Sequence, residues 1–299
     1  MRSVKVITDS CANMGKELRD RYDVDYARLS ILWDGNEKYV SNDWELYTAK
    51  ELYDAMRGGT RITTQQVNAV ELEQVFEKYL ELGLDVVYVA CSSALSGSYS
   101  VGQVVAKQLK EKYRERNVIC IDPKISCGGE AIVAMEAAKL ALAGGTADEV
   151  AECAKKAAAK SMQVGTIDSL TYLKRAGRVK ASAAFFGNLF GIKPILISNE
   201  KGENEAVKKM KGRKNALDEC VNMLVKSIGC DEYPTEEQTL FVVHADCEND
   251  AMYLVNRIKE KVNLKEVIVN ALSPVIGATT GPGMVGLYAF GDRDAMLGE

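Results

Sequence analysis

Residues 91–100, Cys-Ser-Ser-Ala-Leu-Ser-Gly-Ser-Tyr-Ser, stand where a predicted strand gives way to a predicted helix. The preceding run, residues 85–90, is short, apolar and β-branched, which predicts a buried strand. The following residues, 98–112, have apolar side chains at helical spacing. Open α/β sheets bind ligands at this end of a strand, and the first N–H groups of a helix attract anions. The stretch therefore predicts either an anion site or a capped, serine-rich turn without a ligand.

Strands and helices alternate along the first half of the chain. This alternation predicts an α/β fold in which residues 1–160 form an N-terminal domain with a mainly parallel sheet. The second half has a predicted hairpin and three later strands, with fewer helices between them. It predicts a second α/β domain, residues 161–299, with a mixed sheet.

Three segments between these elements have less regular patterns. Residues 25–33 alternate enough to predict one strand, whereas the polar residues 60–66 and the glycine-rich residues 273–283 predict loops. Residues 281–286 match G-x-G-x-x-G, but a strand rather than a helix follows, which excludes a dinucleotide site of that type. We expect these glycines to let the backbone approach a neighbouring loop or a ligand closely.

Composition limits the classes of function. The 299 residues are 47% hydrophobic and 27% charged, as in soluble globular proteins. A net charge of −4 argues against a nucleic acid partner, and no apolar run approaches the roughly 20 residues of a membrane span. No signal-peptide pattern opens the chain, and the eight cysteines contain no C-x-x-C pair. We therefore expect a cytoplasmic protein with reduced thiols and without a structural metal.

The sequence holds no complete catalytic set. His244 is the one histidine, and it could serve Ser93 or Ser96 as a general base in a serine-type esterase. No G-x-S-x-G elbow surrounds any serine, so a hydrogen-bonded histidine at a strand end is the simpler interpretation.

Three hydroxyl-rich loops form a candidate head-group site. They contain Thr8 and Ser10, Thr63 and Thr64, and Ser92, Ser93 and Ser96. Hydroxyl and backbone N–H groups can hold a carboxylate without a buried cation. The apolar residues 183–190 could line a slot for a hydrocarbon, to which each buried methylene contributes about 0.8 kcal/mol. The candidate residues of this slot are Phe185, Phe186, Leu189 and Phe190.

Seven motifs, spread in order along the whole chain, resemble those of the DegV family. They are Thr8-Asp9-Ser10, residues 63–67 (Thr-Thr-Gln-Gln-Val), residues 92–99 (Ser-Ser-Ala-Leu-Ser-Gly-Ser-Tyr), residues 173–178 (Leu-Lys-Arg-Ala-Gly-Arg), residues 192–195 with the later Arg213, residues 244–246 and residues 281–286. The resemblance implies a two-domain α/β fold with a buried long-chain fatty acid between the domains. It also implies an acyl-carrying subunit for a separate, ATP-dependent bacterial fatty acid kinase, which phosphorylates the bound carboxylate.

The resemblance also implies roles for single residues. The carboxylate would bind Thr63 or Thr64 together with Ser96, and Ser93 is a further candidate. The supporting residues of the head-group loops would be Asp9, Ser10, Ser92, Gly97, Thr279 and Thr280. Arg178 and Arg213 match family arginines placed near the kinase partner or the acyl phosphate.

Two motifs depart from the family pattern. Gln66 and Val67 replace a proline and a serine, which removes one hydroxyl and a rigid turn. Thr279 stands where the family often has histidine, and threonine cannot supply the charge or the proton of an imidazole at neutral pH.

We therefore predict a fatty-acid-binding protein without turnover of its own, whose contact with a membrane during loading is at most peripheral. Two alternatives stay open. One is the esterase that uses His244, and the other is an anion-binding regulatory module whose pocket lacks a long apolar slot.

Overall fold

The computed structural model describes residues 3–182, 185 and 191–298. Its strands are β1 (Val4–Asp9), β2 (Asp25–Ala27), β3 (Ser30–Trp33), β4 (Asn36–Tyr39), β5 (Thr63–Gln65), β6 (Asp85–Val89), β7 (Val118–Ile121), β8 (Ser161–Thr166), β9 (Ile192–Ser198), β10 (Asn204–Lys211), β11 (Thr239–His244), β12 (Glu266–Ala271) and β13 (Val285–Phe290). Its α-helices are α1 (Lys16–Tyr22), α2 (Ala49–Arg57), α3 (Ala69–Leu80), α4 (Ser98–Lys112), α5 (Gly128–Leu142), α6 (Ala147–Lys160), α7 (Thr171–Ala176), α8 (Arg213–Ser227), α9 (Glu248–Lys259), α10 (Pro274–Thr280) and α11 (Arg293–Leu297).

The strands form three sheets. The first has the order β2-β1-β6-β7 and is parallel throughout. The second has the order β10-β9-β8-β13-β11-β12 and is antiparallel except for the pair β11 and β12. A small antiparallel sheet, β4-β3-β5, accompanies them. The predicted α/β fold, with a parallel sheet in the N-terminal part and a mixed sheet in the C-terminal part, is confirmed.

Helix α5 lies between the two larger sheets. It is apolar on nearly every face and eleven of its fifteen residues are buried. It packs on β1 of the parallel sheet and on β8, β11 and β13 of the mixed sheet. Gly128 permits this approach, because a Cβ there would lie 2.6 Å from the Tyr288 ring. One apolar core therefore joins the two larger sheets, and a second core packs α8 and α9 on the mixed sheet. The domain division after residue 160 stays a prediction.

Three segments differ from the expectation drawn from the sequence. Residues 25–33 form two strands in different sheets, with a corner at which Ser10 Oγ accepts the N–H of Leu29. Residues 63–65 pair with β3 instead of forming a loop. Residues 274–280 form a helix, which begins at Pro274 because proline suits the first helical position. The sequence predicted a loop here because the small residues of this segment conceal any apolar periodicity.

The described residues contain no helix that is both long and apolar enough to cross a bilayer. They also contain no group of three or more histidine, cysteine, aspartate or glutamate side chains arranged to hold a metal ion. The cytoplasmic location and the peripheral membrane contact stay predictions.

Candidate functional site

A cavity lies where the three sheets meet. Its walls come from the loops after β1 and β6, from β5, from β8 and β13, and from α10. Its apolar side chains include Leu29, Leu95, Leu173, Leu196, Val275 and Met284. Its polar side chains include Thr64, Ser96, Ser126, Gln163, Thr279 and Thr280. An open groove adjoins the cavity and shares Thr64, Arg178 and Thr279 with it, so these three residues mark the cavity mouth.

Asp9 joins the two loops that follow β1 and β6. Its carboxylate accepts hydrogen bonds from the N–H groups of Cys11 (2.8 Å) and Cys91 (3.0 Å) and from the hydroxyl of Tyr88 (3.1 Å). Complete burial raises the pKa of Asp9, and the donors act in the opposite direction. Asp9 does not line the cavity, so its role is to hold the two loops together through these hydrogen bonds, without contact with a ligand in the cavity.

Ser10 and Ser92 also connect elements. Besides the contact of Ser10 with Leu29, the Ser92 hydroxyl donates to the carbonyl of Gly202 (2.9 Å) in the turn between β9 and β10. Both serines are fully buried, and neither lines the cavity. These two predicted supporting residues therefore hold the cavity walls together.

Ser96 lies in the cavity wall immediately before α4. The buried hydroxyl of Ser98 accepts the N–H of Val67 (3.2 Å) and lies 2.8 Å from Ser96 Oγ. Either hydroxyl can donate across this contact, and the absence of any other donor bond from Ser98 among the described residues favours donation from Ser98 to Ser96. In that arrangement the hydroxyl hydrogen of Ser96 is available to a ligand.

Thr64 supplies the second available hydroxyl. On β5, Thr64 lines both the cavity and the neighbouring groove, whereas Thr63 lines the groove alone. Within residues 3–182, 185 and 191–298, no hydrogen bond engages the Thr64 side chain. The structure therefore brings Thr64, rather than Thr63, together with Ser96.

The hydroxyls of Thr279 and Thr280 lie in the cavity wall but are already engaged. Thr279 donates to the carbonyl of Val275 (3.1 Å) and Thr280 to that of Ile276 (2.9 Å), one turn earlier in α10. Each hydroxyl has one hydrogen, so neither can donate to a carboxylate while these bonds persist.

Gln66 is a wall residue for which the sequence analysis predicted no role. Its side chain packs over Gly97, where a Cβ would lie 1.9 Å from Gln66 Oε1. The absence of a Cβ at Gly97 thus makes room for the Gln66 side chain against the loop before α4.

Ser93, a predicted carboxylate ligand, is exposed and lies outside the cavity wall. Its hydroxyl accepts a hydrogen bond from Lys124 Nζ (3.0 Å), and its N–H donates to Asp122 (3.1 Å). The structure does not bring Ser93 into the cavity with Ser96.

The two predicted arginines have different surroundings. Arg178 lies at the cavity mouth, where its Nε donates to the carbonyl of Leu95 (3.1 Å). Arg213 lies outside the cavity wall, and its Nε donates to Asp250 (2.8 Å) while Nη1 lies 3.8 Å from Asp168. Arg178 thus brings positive charge to the mouth, whereas carboxylates neutralise Arg213. The partner-facing roles of both residues stay predictions.

His244 lies at the end of β11 and outside the cavity wall. Its Nδ1 is buried without a hydrogen-bond partner in the described part of the chain, and burial lowers its pKa. No serine hydroxyl bonds to it among these residues, so the structure does not assemble the Ser–His pair that an esterase needs.

The predicted acyl-slot segment lies mostly outside the described residues. Phe185 packs against the apolar core, with Lys209 Nζ 4.9 Å from the ring centroid, and it does not line the cavity. Phe186, Leu189 and Phe190 fall outside the described residues, so their role at the acyl chain stays a prediction.

The glycines of residues 281–286 permit close packing, as expected from the sequence. A Cβ on Gly281 would lie 2.2 Å from the Tyr172 ring, and a Cβ on Gly283 would lie 2.2 Å from Asp168 Oδ2. Both glycines have positive φ angles. They therefore let α7 and the segment before it approach the loop after α10, next to the cavity mouth.

The fold and the cavity define an α/β protein with a largely apolar pocket. A family model described as "Uncharacterised protein, DegV family" matches residues 3–292, so the chain belongs to the DegV family. A DegV domain-containing protein of Clostridium perfringens is 34% identical over 292 residues, which cover 98% of this chain and 99% of the relative.

Two solved structures have the same fold. A DegV lipid binding protein from Thermotoga maritima superposes with a TM-score of 0.82 at 25% identity, covering 96% of this chain and 97% of that protein. A DegV family protein from Thermus thermophilus, described for its fatty acid binding, gives a TM-score of 0.86 at 24% identity, covering 97% of this chain and all of that protein.

Proposed function

We propose that this chain binds a long-chain fatty acid, with the carboxylate on the hydroxyls of Thr64 and Ser96 and the acyl chain along the apolar wall. The observation that carries the proposal is the pair of uncommitted hydroxyl donors beside an apolar cavity. The lipid and fatty acid binding named for the Thermotoga and Thermus relatives supports the same ligand class.

The charges around the cavity favour an anionic head group at its mouth. Among the described residues, Arg178 is the one charged side chain in the cavity wall. The fifteen-residue helix α4 begins beside Ser96 and directs the positive end of its dipole there. The inner wall offers no cation, which suits a hydrocarbon.

A binding experiment with two serine variants tests the head-group assignment. Ser96→Ala removes a hydrogen bond to a charged carboxylate, which is worth about 1.5–3 kcal/mol, so the Kd for palmitate should rise roughly 10- to 100-fold. Ser93→Ala is the matched control, because it alters the same loop outside the cavity. Displacement of a fluorescent fatty acid measures both, and equal effects of the two variants would refute the assignment.

We further propose that the chain presents its bound acid to a separate, ATP-dependent fatty acid kinase. The groove beside the cavity mouth supports this, because Arg61 and Arg175 line it together with Arg178 and the groove also reaches Thr64. Three cations beside the carboxylate end suit a group that gains a phosphate.

The carrier proposal has its own assay. The loaded chain is incubated with ATP and a purified bacterial fatty acid kinase subunit, and the acyl phosphate is trapped with hydroxylamine as a hydroxamate. Formation of hydroxamate only when the chain is present supports the carrier role. Its absence, with fatty acid binding intact, contradicts the carrier role and leaves the binding proposal standing.

A further inference from the structure

The inner wall of the cavity contains two polar side chains that a plain hydrocarbon would leave without partners. Gln163 of β8 is 3% exposed, Ser126 just before α5 is 6% exposed, and both line the cavity. In the part of the chain that the structure describes, no hydrogen bond engages Gln163 Oε1 or Ser126 Oγ. Both residues line the cavity, so a ligand that fills it would cover these two atoms. Buried polar atoms in proteins are almost always paired, so we expect the ligand to supply a partner.

A chain of hydrogen bonds fixes which atom Gln163 leaves free. The backbone carbonyl of Arg178 can only accept, and it accepts from Asn204 Nδ2 (3.2 Å). Asn204 Oδ1 is then the acceptor for Gln163 Nε2 (3.3 Å). The remaining polar atom of Gln163 is Oε1, an acceptor, so the ligand group that meets it must be a donor.

The polar pair lies outside the groove that adjoins the cavity, although Asn204 links Gln163 to the backbone of Arg178. Gln163 stands opposite the buried Tyr288 in the pairing of β8 with β13. Neither Gln163 nor Ser126 lines the open groove that shares Thr64 and Arg178 with the cavity. A fatty acid whose carboxylate binds at the mouth therefore meets this pair with its acyl chain.

We infer that the acid selected by this cavity carries a hydroxyl group on its acyl chain. The hydroxyl donates to Gln163 Oε1 and accepts from Ser126 Oγ. A keto group or a double bond cannot donate, so neither satisfies Gln163. A site built to bond a hydroxyl discriminates strongly against an analogue that lacks one, because its own buried polar groups are then left unpaired. The inference rests on the proposed fatty acid function.

The test compares octadecanoic acid with a series of monohydroxy-octadecanoic acids and their keto counterparts, by displacement of a fluorescent fatty acid from the delipidated chain. At least one hydroxy isomer should bind roughly ten-fold or more tightly than both octadecanoic acid and the matching keto acid. Gln163→Met, which preserves volume without the acceptor, should abolish that preference. Gln66→Met, the same change at another wall residue, should alter the affinity for both acids by the same factor.

Two results would overturn the inference. Octadecanoic acid could bind as tightly as every hydroxy isomer, or the preference could survive in Gln163→Met. In either case Gln163 and Ser126 bind a buried water molecule and do not select a hydroxyl group on the acyl chain. If neither plain nor hydroxylated acids bind, the proposed function itself fails, which is a separate outcome.

Discussion

Replacement of Glu130 by glutamine should change how stability depends on pH. Glu130 lies on α5 between the two larger sheets and is completely buried, and this burial raises its pKa well above the usual range, with a further contribution from the charge of Asp9. Its Oε1 lies 2.7 Å from Thr8 Oγ1, which also lies 3.0 Å from the carbonyl of Val89. Because the threonine has one hydrogen, both contacts are satisfied when a protonated Glu130 donates to Thr8 and Thr8 donates to Val89.

The sign of the effect follows from where the proton is bound. Above pH 4.5 the unfolded chain releases the Glu130 proton, whereas the folded chain keeps it until its raised pKa is reached. The free energy of unfolding therefore falls as pH rises through this window, by about 1.4 kcal/mol per pH unit for one proton. Glutamine can donate to Thr8 without a titrating proton, so the variant lacks this slope.

Urea unfolding of the wild type and Glu130→Gln at pH 5, 6 and 7 measures the difference. The stability of the variant relative to the wild type should increase by about 1.4 kcal/mol per pH unit below the folded pKa of Glu130. Asp9, whose pKa burial also raises, is present in both proteins and largely cancels. A difference that stays constant across the three pH values would refute this account of Glu130.

Two further substitutions test the head-group loops and the proposed transfer step. Ser98→Ala leaves the N–H of Val67 without its partner, so the free energy of unfolding measured in urea should fall by about 1–3 kcal/mol, and an unchanged value would contradict this role. Thr279→His places an imidazole at the cavity mouth, where the family often has histidine, and should raise the yield of acyl phosphate in the hydroxamate assay. An equal yield from both proteins would show that the histidine is dispensable.

Elements with a regular burial pattern were predictable from the sequence. The bounds expected for α4 match the structure, and those expected for β6 differ by one residue, because an amphipathic face and a β-branched apolar run both indicate burial. The strand β5 was not predictable, because its polar residues owe their extended conformation to pairing with β3, which is distant in the sequence. Helix α10 was missed because its small residues carry no periodic signal.

The sequence predicted which loops form the candidate site, but it did not predict which hydroxyl groups in them are free to donate a hydrogen bond to a ligand. The family resemblance implied Thr63 or Thr64 with Ser96, without deciding between the two threonines, and it also implied Ser93, whose hydroxyl faces Lys124 instead. Which hydroxyl is free depends on contacts such as Ser98 to Val67, and these follow from the folded structure alone. The inner wall gave no signal, because Gln163 stands inside a strand without any motif around it.

The identity of the bound molecule tests the central claim most directly. Native mass spectrometry of the freshly purified chain should show a mass excess equal to one long-chain fatty acid, and organic extraction should release that acid for identification. The account is contradicted if the chain has no bound lipid and, in addition, binds neither palmitate nor oleate when they are added.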